Sequence, residues 1–287
     1  MKVIDGRKIS QDILSAVKRE IEDGKYKPSL KIIIIGSNPS SLVYCQRKKD
    51  RGLDVGISVE IEHFADDVEI SQVESSIRTA SDDNKVDGII IQLPVKNKKI
   101  KNCFNLIPVN KDVDGLNPLS LGMLWHDKID TLIPATVKAI VKVLENIAFL
   151  EKESPLSVFL SGKSILIINR SLIIGKPLAA ILLNNDATVT VAHTKTIDLQ
   201  RFITNADIII SATGVAGFMN KFDLPRDVIL IDAGFNYVDG KVVGDVKITP
   251  EIEKQCQYLS PVPNGVGPIG VACLLENTLI SKKGLGI

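Results

Sequence analysis

A hydroxyl, a phenol and an amine recur at helical spacing early in the chain. Ser41, Tyr44 and Lys48 stand at positions i, i+3 and i+7 of the segment that follows the apolar run KIIII. Residues at these spacings share one face of a helix, so the three side chains are expected to form one stripe. A lysine whose pKa is lowered by burial can transfer protons near neutral pH. The stripe therefore predicts a proton-transfer site, although it also fits a solvated lysine beside a core tyrosine.

Two further polar motifs follow in the first half of the chain. Gln92 ends the apolar run of VDGIIIQLPV, and ligands of open α/β sheets bind beyond the carboxyl ends of strands. Gln92 therefore fits either a residue that contacts a ligand or a polar residue that caps the strand. KDVDG places Asp112 and Asp114 two residues apart before a glycine. The pair fits an ordinary Asx turn, or one of the two carboxylates holds an amidine-like ligand edge through two hydrogen bonds. Because no histidine or third carboxylate accompanies the pair, a calcium or magnesium site is not expected.

The segment INRSLIIGKP lies between a predicted strand and a predicted helix, where free backbone amides can receive a phosphate. The pattern G-x-G-x-x-G is absent, and only Gly175 stands in a suitable place. Arg170 and Ser171, with Thr194 after the next strand, are candidates to hold a 2′-phosphate, since no acidic residue ends that strand. This favours NADP over NAD. His193 is interpreted as a structural group at the strand end rather than as a catalyst.

These residues need a scaffold that alternates strands and helices. Ser10–Asp23 carries apolar residues at helical spacing, and KIIII and VDGIIIQLPV are apolar runs of strand length. Fully apolar strands separated by helices predict a parallel sheet covered on both faces. The second half contains four more such runs: SILIIN, ATVTVAH, DIIISATG and VILIDAGFN. This series predicts a doubly wound, nucleotide-binding sheet, and Asp239-Gly240 between β-rich flanks predicts a hairpin.

Length and composition limit the function classes. At roughly 150 residues per domain, 287 residues predict two domains, and a net charge of +1 argues against nucleic acid or an anionic membrane as a partner. The four cysteines are scattered without metal-ligand spacing, which predicts buried thiols in a reducing compartment. The first residues contain no signal-like apolar stretch, and no apolar run is long enough to cross a membrane. We therefore expect a cytoplasmic α/β enzyme.

Taken together, the motifs resemble the bifunctional methylenetetrahydrofolate dehydrogenase/cyclohydrolase family. The matching pieces occur in the family's order over nearly the whole chain: S-x-x-Y-x-x-x-K, DGIIIQLPV, NKDVDGLNP, P-A-T at Pro134–Thr136, RSxIIGKP, VIxIDAGFN, GDV at Gly244–Val246 and PVPNGVGP. The resemblance implies a tetrahydrofolate-binding α/β domain at 1–138, completed by a C-terminal helix at 268–287. A Rossmann-like NAD(P)-binding domain is expected at 139–267, with the active site in a cleft between the domains.

The resemblance also implies a reaction pair of one-carbon metabolism. 5,10-Methylenetetrahydrofolate is oxidised to 5,10-methenyltetrahydrofolate with NADP, or with NAD, and water then converts it to 10-formyltetrahydrofolate. Lys48 matches the family's catalytic lysine, and Gln92 matches the glutamine that orients it. Tyr44 matches the tyrosine against the folate rings, and Asp114 the aspartate that binds the pterin edge. Ser41 and Pro263 match further substrate-binding positions.

The remaining implications concern the cofactor and the assembly. Cofactor-binding positions of the family are matched by Asn169, Arg170, Ser171, Gly175, Thr194 and Phe235. The family is commonly homodimeric through its cofactor domains, and the Asp239-Gly240 hairpin is a candidate arm for that contact. The implied partners are tetrahydrofolate derivatives and a second copy of the chain.

This sequence departs from the family pattern at several positions. Asn169 and Asn264 replace glycines, Val137 replaces a proline, and Gly270 stands where threonine is frequent. Asn tolerates left-handed backbone better than most residues, so the turn at Asn169 is expected to survive. Three alternatives stay open: a member of the family with cyclohydrolase activity only, another two-domain NAD(P) oxidoreductase that uses His193, and a catalytically silent nucleotide-binding or scaffold protein.

Overall fold

The computed structural model describes residues 1–127 and 131–284. Contacts divide the chain into two compact units. We call Gln11–Ala135 with Val271–Ile287 the three-strand unit, and Met1–Ser10 with Thr136–Gly270 the six-strand unit. No described helix is both long and apolar enough to span a bilayer.

Helices and strands alternate through both units. In chain order they are β1 (Lys2–Val3), α1 (Gly6–Gly24), β2 (Ser29–Ile35), α2 (Pro39–Asp54), β3 (Ser58–Phe64), α3 (Ile70–Asp82), β4 (Gly88–Gln92), α4 (Pro118–Trp125), α5 (Ala135–Glu151), α6 (Leu156–Leu160), β5 (Ser164–Ile168), α7 (Gly175–Leu183), β6 (Thr188–Ala192), α8 (Leu199–Thr204), β7 (Ile208–Ser211), β8 (Val228–Asp232), β9 (Asn236–Val238), β10 (Lys241–Val243), α9 (Pro250–Gln255), β11 (Cys256–Ser260) and α10 (Val266–Lys283). Short 3-10 segments occupy Lys98–Leu106, Val109–Lys111 and Phe218–Lys221.

The three-strand unit is built on a parallel sheet of order β3-β2-β4. The middle strand β2 is buried on both faces, which explains its continuous run of isoleucines. The register pairs Ile34 of β2 with Gln92 of β4, so Gln92 lies at the carboxyl edge of the sheet. Helix α2 begins shortly after β2 ends at this same edge, which brings its residues toward Gln92.

The six-strand unit contains a parallel sheet of order β1-β11-β8-β7-β5-β6. Strand β5 lies between β6 and β7, so the winding direction of the sheet reverses at β5. In doubly wound sheets, ligands bind in the crevice at this reversal, beyond the carboxyl ends of the strands. The predicted α/β class, with a doubly wound sheet in the second half, is confirmed. The predicted hairpin is formed by β9 and β10, with Asp239 in left-handed backbone.

The division of the chain differs from the expected domain bounds at the N-terminus. The family resemblance predicts a first domain at 1–138, yet β1 pairs in parallel with β11, and Ile4 N–H donates to the Leu259 carbonyl at 2.8 Å. The first ten residues therefore belong to the six-strand unit. A two-residue strand carries no periodicity, and its partner lies more than 250 residues away, so local patterns do not reveal the pairing. Of the segment expected at 268–287, residues 285–287 lie outside the described residues.

Candidate active site and cofactor loops

The side chains of α2 place an amine inside the three-strand unit. The helix starts at an Asn-Pro pair, where Asn38 Oδ1 accepts a hydrogen bond from Ser41 N–H at 3.2 Å. Lys48 lies more than two turns further on and is only 9% exposed. Its Nζ lies 5.7 Å from the centre of the Tyr44 ring. The structure thus brings Tyr44 and Lys48 together as the helical spacing predicted, and Ser41 is buried on the first turn.

The lysine is held by Gln92. Lys48 Nζ donates to Gln92 Oε1 at 2.8 Å, and Gln92 Nε2 donates to the Leu93 carbonyl at 2.6 Å. The second bond orients the amide so that its oxygen faces the amine. The thiol of Cys45, also buried, donates to the same oxygen at 3.6 Å. Gln92 therefore acts as a fixed acceptor, and the contribution of Cys45 is one that the sequence motifs did not indicate.

Lys48 and Asp114 form an electrostatically coupled pair. Burial lowers the pKa of Lys48, while the negative charge of Asp114 opposes that change. Burial raises the pKa of Asp114 to about 6, although the charge of Lys48 and the Ala135 N–H lower it in part. Burial therefore shifts each group toward its neutral form, relative to the same group in water. The site can therefore hold a neutral amine that accepts a proton and an ammonium that returns it.

Asp112 and Asp114 have different roles in the loop that contains them. Asp112 is 1% exposed and accepts hydrogen bonds from Leu116 N–H at 3.1 Å, from Asn117 N–H at 2.8 Å and from Ser120 Oγ at 2.7 Å. It builds the turn, which leaves Asp114 to face the lysine. The turn that the motif left open is therefore formed by Asp112, and a ligand contact by Asp114 stays a prediction.

A second anchor of this loop lies directly before Asp112. Lys111 Nζ donates to the carbonyls of Ala80, Ser81 and Asp83 at 2.7–3.2 Å, where α3 ends. Cations are favourable at the last carbonyls of a helix. Lys111 thereby ties the loop to α3, and its partners, about 30 residues away, could not be read from the motif.

In the six-strand unit, Asn169 organises the loop between β5 and α7. Its Oδ1 accepts hydrogen bonds from Ser171 N–H at 2.8 Å and Gly175 N–H at 3.1 Å, and its Nδ2 donates to the Ala212 carbonyl at 2.7 Å. The turn is kept, as expected, but Asn169 is not among the described residues with positive φ. The side chain, rather than a special φ, stabilises this turn. Asn264, the other substituted glycine position, does adopt φ 77°.

The loop geometry fits a bound dinucleotide. A Cβ at Gly175 would meet the Asn169 carbonyl oxygen at 2.0 Å, so only glycine allows α7 to start this close to the end of β5. Arg170 is exposed, and Ser171 Oγ accepts from Ile174 N–H at 3.1 Å, which leaves its hydroxyl proton to donate. These groups suit the anionic part of a dinucleotide.

The remaining predicted cofactor and substrate residues lie on separate loops of the six-strand unit. Thr194, Phe235 and Pro263 are exposed, after β6, β8 and β11 respectively. His193 Nδ1 accepts from Lys195 N–H at 3.1 Å, so the histidine helps to close its own loop. Loops after parallel strands of one sheet share its carboxyl edge, which is the expected position of a ligand.

Comparison with known proteins assigns the chain to a family. Residues 4–114 match the model for the catalytic domain of tetrahydrofolate dehydrogenase/cyclohydrolase, and residues 134–284 match the model for the NAD(P)-binding domain of the same enzymes. The chain belongs to the tetrahydrofolate dehydrogenase/cyclohydrolase family. The resemblance drawn from the motifs is thereby confirmed, and the family's NAD(P)-binding domain accounts for most of the six-strand unit.

Individual members of this family are similar to the chain over nearly its whole length. The bifunctional protein FolD of Hydrogenobaculum sp. (strain Y04AAS1) is 35% identical over 285 residues, which cover 99% of each chain. The crystal structure of the bifunctional enzyme FolD from Campylobacter jejuni has a TM-score of 0.90 at 33% identity and covers 99% of both chains. The Trypanosoma brucei enzyme, solved with NADP cofactor and an inhibitor, has a TM-score of 0.89 at 29% identity, covering 98% of this chain and 97% of that one.

Proposed function

We propose that this protein oxidises 5,10-methylenetetrahydrofolate to 5,10-methenyltetrahydrofolate with NADP, and hydrolyses the product to 10-formyltetrahydrofolate. The observation that carries the proposal is a buried lysine in the family's catalytic domain, with Nζ 2.8 Å from Gln92 Oε1 and a pKa lowered by burial. In this proposal the three-strand unit holds the folate and the six-strand unit holds the dinucleotide.

The hydrolytic step uses Lys48 twice. Water adds to the electrophilic methenyl carbon, and the neutral amine takes the proton that the water loses, so a carbinolamine forms. The resulting ammonium then protonates N5 as the carbon–N5 bond breaks, and the carbinol hydroxyl loses its proton to solvent, which leaves the formyl group on N10. Overall, the methenyl cation and one water give 10-formyltetrahydrofolate and one proton. Gln92 supports both steps because its fixed amide oxygen keeps Nζ in place in either protonation state.

Substrate binding is assigned to the residues around this amine. The carboxylate of Asp114 accepts two hydrogen bonds from the amidine-like edge of the pterin. Tyr44 packs against the folate ring system, and Ser41 and Pro263 contribute further contacts. The positive methenyl product is also stabilised by the charge of Asp114, which lies close enough to Lys48 to change its pKa.

The oxidation step transfers a hydride from the methylene carbon to the nicotinamide ring that NADP supplies. The cofactor is assigned to Asn169, Arg170, Ser171, Gly175, Thr194 and Phe235. Arg170 is exposed, and the segment His193–Thr196 after β6 carries no acidic side chain. A cation without a competing carboxylate favours the 2′-phosphate of NADP over the free ribose hydroxyl of NAD.

One observation favours a second candidate, a family member that only hydrolyses the methenyl compound. Asn169 Oδ1 already accepts from the amides of Ser171 and Gly175, so fewer free amides remain for a pyrophosphate. An absorbance assay separates the two candidates. In one reaction methylenetetrahydrofolate is supplied with NADP or with NAD, and reduced nicotinamide is followed. In a separate reaction methenyltetrahydrofolate is supplied directly, and the loss of its absorbance is followed. Reduction faster with NADP supports the full proposal, whereas hydrolysis without reduction supports the second candidate, and the absence of both contradicts both.

We also propose a homodimer in the cytoplasm, formed through the six-strand unit. The β9–β10 hairpin exposes Tyr237 and Val238, which are 62% and 44% accessible. Large exposed side chains on a hairpin suit a contact with a second copy. Light scattering coupled to size exclusion tests this: the protein is expected at twice its chain mass, and Tyr237→Lys is expected at the monomer mass. A monomeric wild-type protein contradicts the dimer.

A further inference from the structure

Asp245, in the GDV motif, lies in the six-strand unit and takes no part in the mechanism above. It is fully buried. One carboxylate oxygen accepts from Ser211 Oγ at 2.7 Å and from Thr213 N–H at 2.6 Å, and the other accepts from Val215 N–H at 3.1 Å. These donors belong to the end of β7 and to the loop that follows it. Asp245 therefore shapes the backbone of that loop.

Asp232, at the end of β8, holds Asp245 in turn. It is also fully buried, and its Oδ1 accepts from Gly234 N–H at 2.9 Å and from Asp245 N–H at 3.1 Å. Its Oδ2 accepts from Val246 N–H at 2.9 Å. The two carboxylates are thus connected in series, from the loop after β8 to the loop after β7. Since the donors named here are neutral, the pair carries its charge into the interior at a cost.

Two glycines show how closely the backbone approaches these carboxylates. A Cβ at Gly234 would meet Asp245 Oδ1 at 2.1 Å, and a Cβ at Gly244 would meet Asp232 Oδ2 at 1.9 Å. Any side chain at either position would displace a carboxylate or the backbone. The hydrogen bonds of the two carboxylates therefore require glycine at both positions.

The network continues to the loop after β5. Ala212, between the residues that donate to Asp245, accepts from Asn169 Nδ2 through its carbonyl at 2.7 Å. Strands β5 and β7 are neighbours, with Ile168 paired to Ser211, and the sheet reverses its winding at β5. Ligands of such sheets bind at this point. The hydrogen bonds therefore join the loops after β5, β7 and β8, where a dinucleotide is expected.

We propose that Asp232 and Asp245 are positioning residues that hold these three loops in the conformation that binds the dinucleotide. The inference rests on the proposed function of the six-strand unit. Loops that are ordered before binding avoid the entropic cost of ordering them when the cofactor arrives, so affinity depends on the network. The assignment gives a role to the GDV motif and a reason for two buried carboxylates in this unit.

The test compares Asp245→Asn with wild-type protein. In the variant an NH2 group replaces one acceptor oxygen and faces an N–H or O–H donor. The dissociation constant of NADPH, measured by fluorescence, is expected to rise about tenfold or more, because bonds to a charged acceptor are lost. The KM for NADP is expected to rise with it, while the KM for methylenetetrahydrofolate and the rate of methenyl hydrolysis stay at wild-type values. Methenyl hydrolysis is assigned to Lys48 of the three-strand unit, so its wild-type rate excludes general unfolding.

Asp207→Asn is the matched control. Asp207 Oδ2 accepts from Ser164 N–H at 2.7 Å at the start of β5 and β7, on the opposite edge of the same sheet. This variant is expected to bind NADPH like the wild-type protein. An equal loss in Asp207→Asn would overturn the inference, because the effect would then come from the sheet as a whole.

A milder variant covers the case in which Asp245→Asn does not fold. Ser211→Ala removes one donor to Asp245 and is expected to raise the dissociation constant about threefold, as for one neutral hydrogen bond. Unchanged NADPH affinity in a folded Asp245→Asn, or in Ser211→Ala if the former is unfolded, overturns the inference alone. If the wild-type protein binds neither NADPH nor NADH, the proposed dehydrogenase and this inference both fall.

Discussion

Replacing Gln92 by glutamate tests whether Lys48 must be neutral to act. The change substitutes a carboxylate for the amide whose oxygen lies 2.8 Å from Lys48 Nζ. At an effective dielectric constant of about 20, opposite charges about 4 Å apart attract by about 4 kcal/mol, which is an upper limit because burying the new charge also costs energy. Observed shifts for such pairs are about 1–3 pKa units, and each unit is worth about 1.4 kcal/mol. We therefore expect the pKa of Lys48 to rise by this amount.

The consequence for the rate follows from the fraction of neutral amine. At any pH below the pKa of Lys48, each unit of increase lowers that fraction tenfold, so hydrolysis in that pH range is expected to slow by about ten- to a thousandfold. The pH at which the rate reaches half its maximum is expected to move upward by about 1–3 units for the same reason. The assay is the loss of methenyltetrahydrofolate absorbance between pH 6 and 9, with the uncatalysed reaction subtracted.

Gln92→Met is the matched control, since it keeps the length of the side chain and removes the acceptor without adding charge. It is expected to slow hydrolysis through loss of orientation while its profile moves to lower pH, because the ammonium loses a partner that stabilises it. A Gln92→Glu variant with the pH profile of the wild-type protein would refute the reasoning, because Lys48 would then not act as a neutral base. If both variants unfold at the same temperature as the wild-type protein, the change in the pH profile comes from the site itself and not from the fold.

Three further predictions address other parts of the site. Lys48→Met removes the proton-transfer group and is expected to slow methenyl hydrolysis by about a hundredfold or more with folding retained, as circular dichroism can verify; near-normal hydrolysis would contradict the assignment. The pKa of Asp114 is raised from 3.8 to about 6. As pH falls through this value the carboxyl group becomes protonated and loses its preference for the pterin edge, so folate affinity measured by calorimetry is expected to weaken about tenfold per pH unit below it. Affinity that is independent of pH, or equally pH-dependent in Asp114→Asn, would exclude this role. Asn169→Asp preserves the acceptors for two loop amides but cannot donate to the Ala212 carbonyl, and its charge repels phosphate. NADPH affinity is expected to fall about tenfold with hydrolysis unchanged, and unaltered affinity would show that the cofactor phosphates lie elsewhere.

The helical stripe and the strand-end glutamine were predictable because both depend on local periodicity. Residues four apart share one face of any α-helix, so Tyr44 and Lys48 lie on the same face wherever α2 sits in the fold. The apolar run before Gln92 indicates a buried strand. The meeting of the two groups was predictable only through the general rule that parallel strands present their carboxyl ends together. Their 2.8 Å contact depends on the rotamer of each side chain, which packing decides.

Other features depended on partners that are distant in the sequence. Asp112 accepts hydrogen bonds from loop amides, whereas Asp114 lies near the charge of Lys48. The sequence motif contains nothing that distinguishes the two residues. Asn169 was expected to solve a backbone problem, whereas its side chain bridges to Ala212, 43 residues away. A hydrogen bond of this kind leaves no periodic trace in the sequence.

The sequence by itself determined the alternation of strands and helices, the family and the residue types available for proton transfer, since each is encoded in local spacing and order. Tertiary structure alone decided that β1 joins the six-strand sheet and that Asp232 and Asp245 are linked through buried backbone. The physical reason is that a carboxylate, an amide or a two-residue strand has many compatible partners. Only the packed chain selects among them, by bringing one donor or one strand edge within bonding distance.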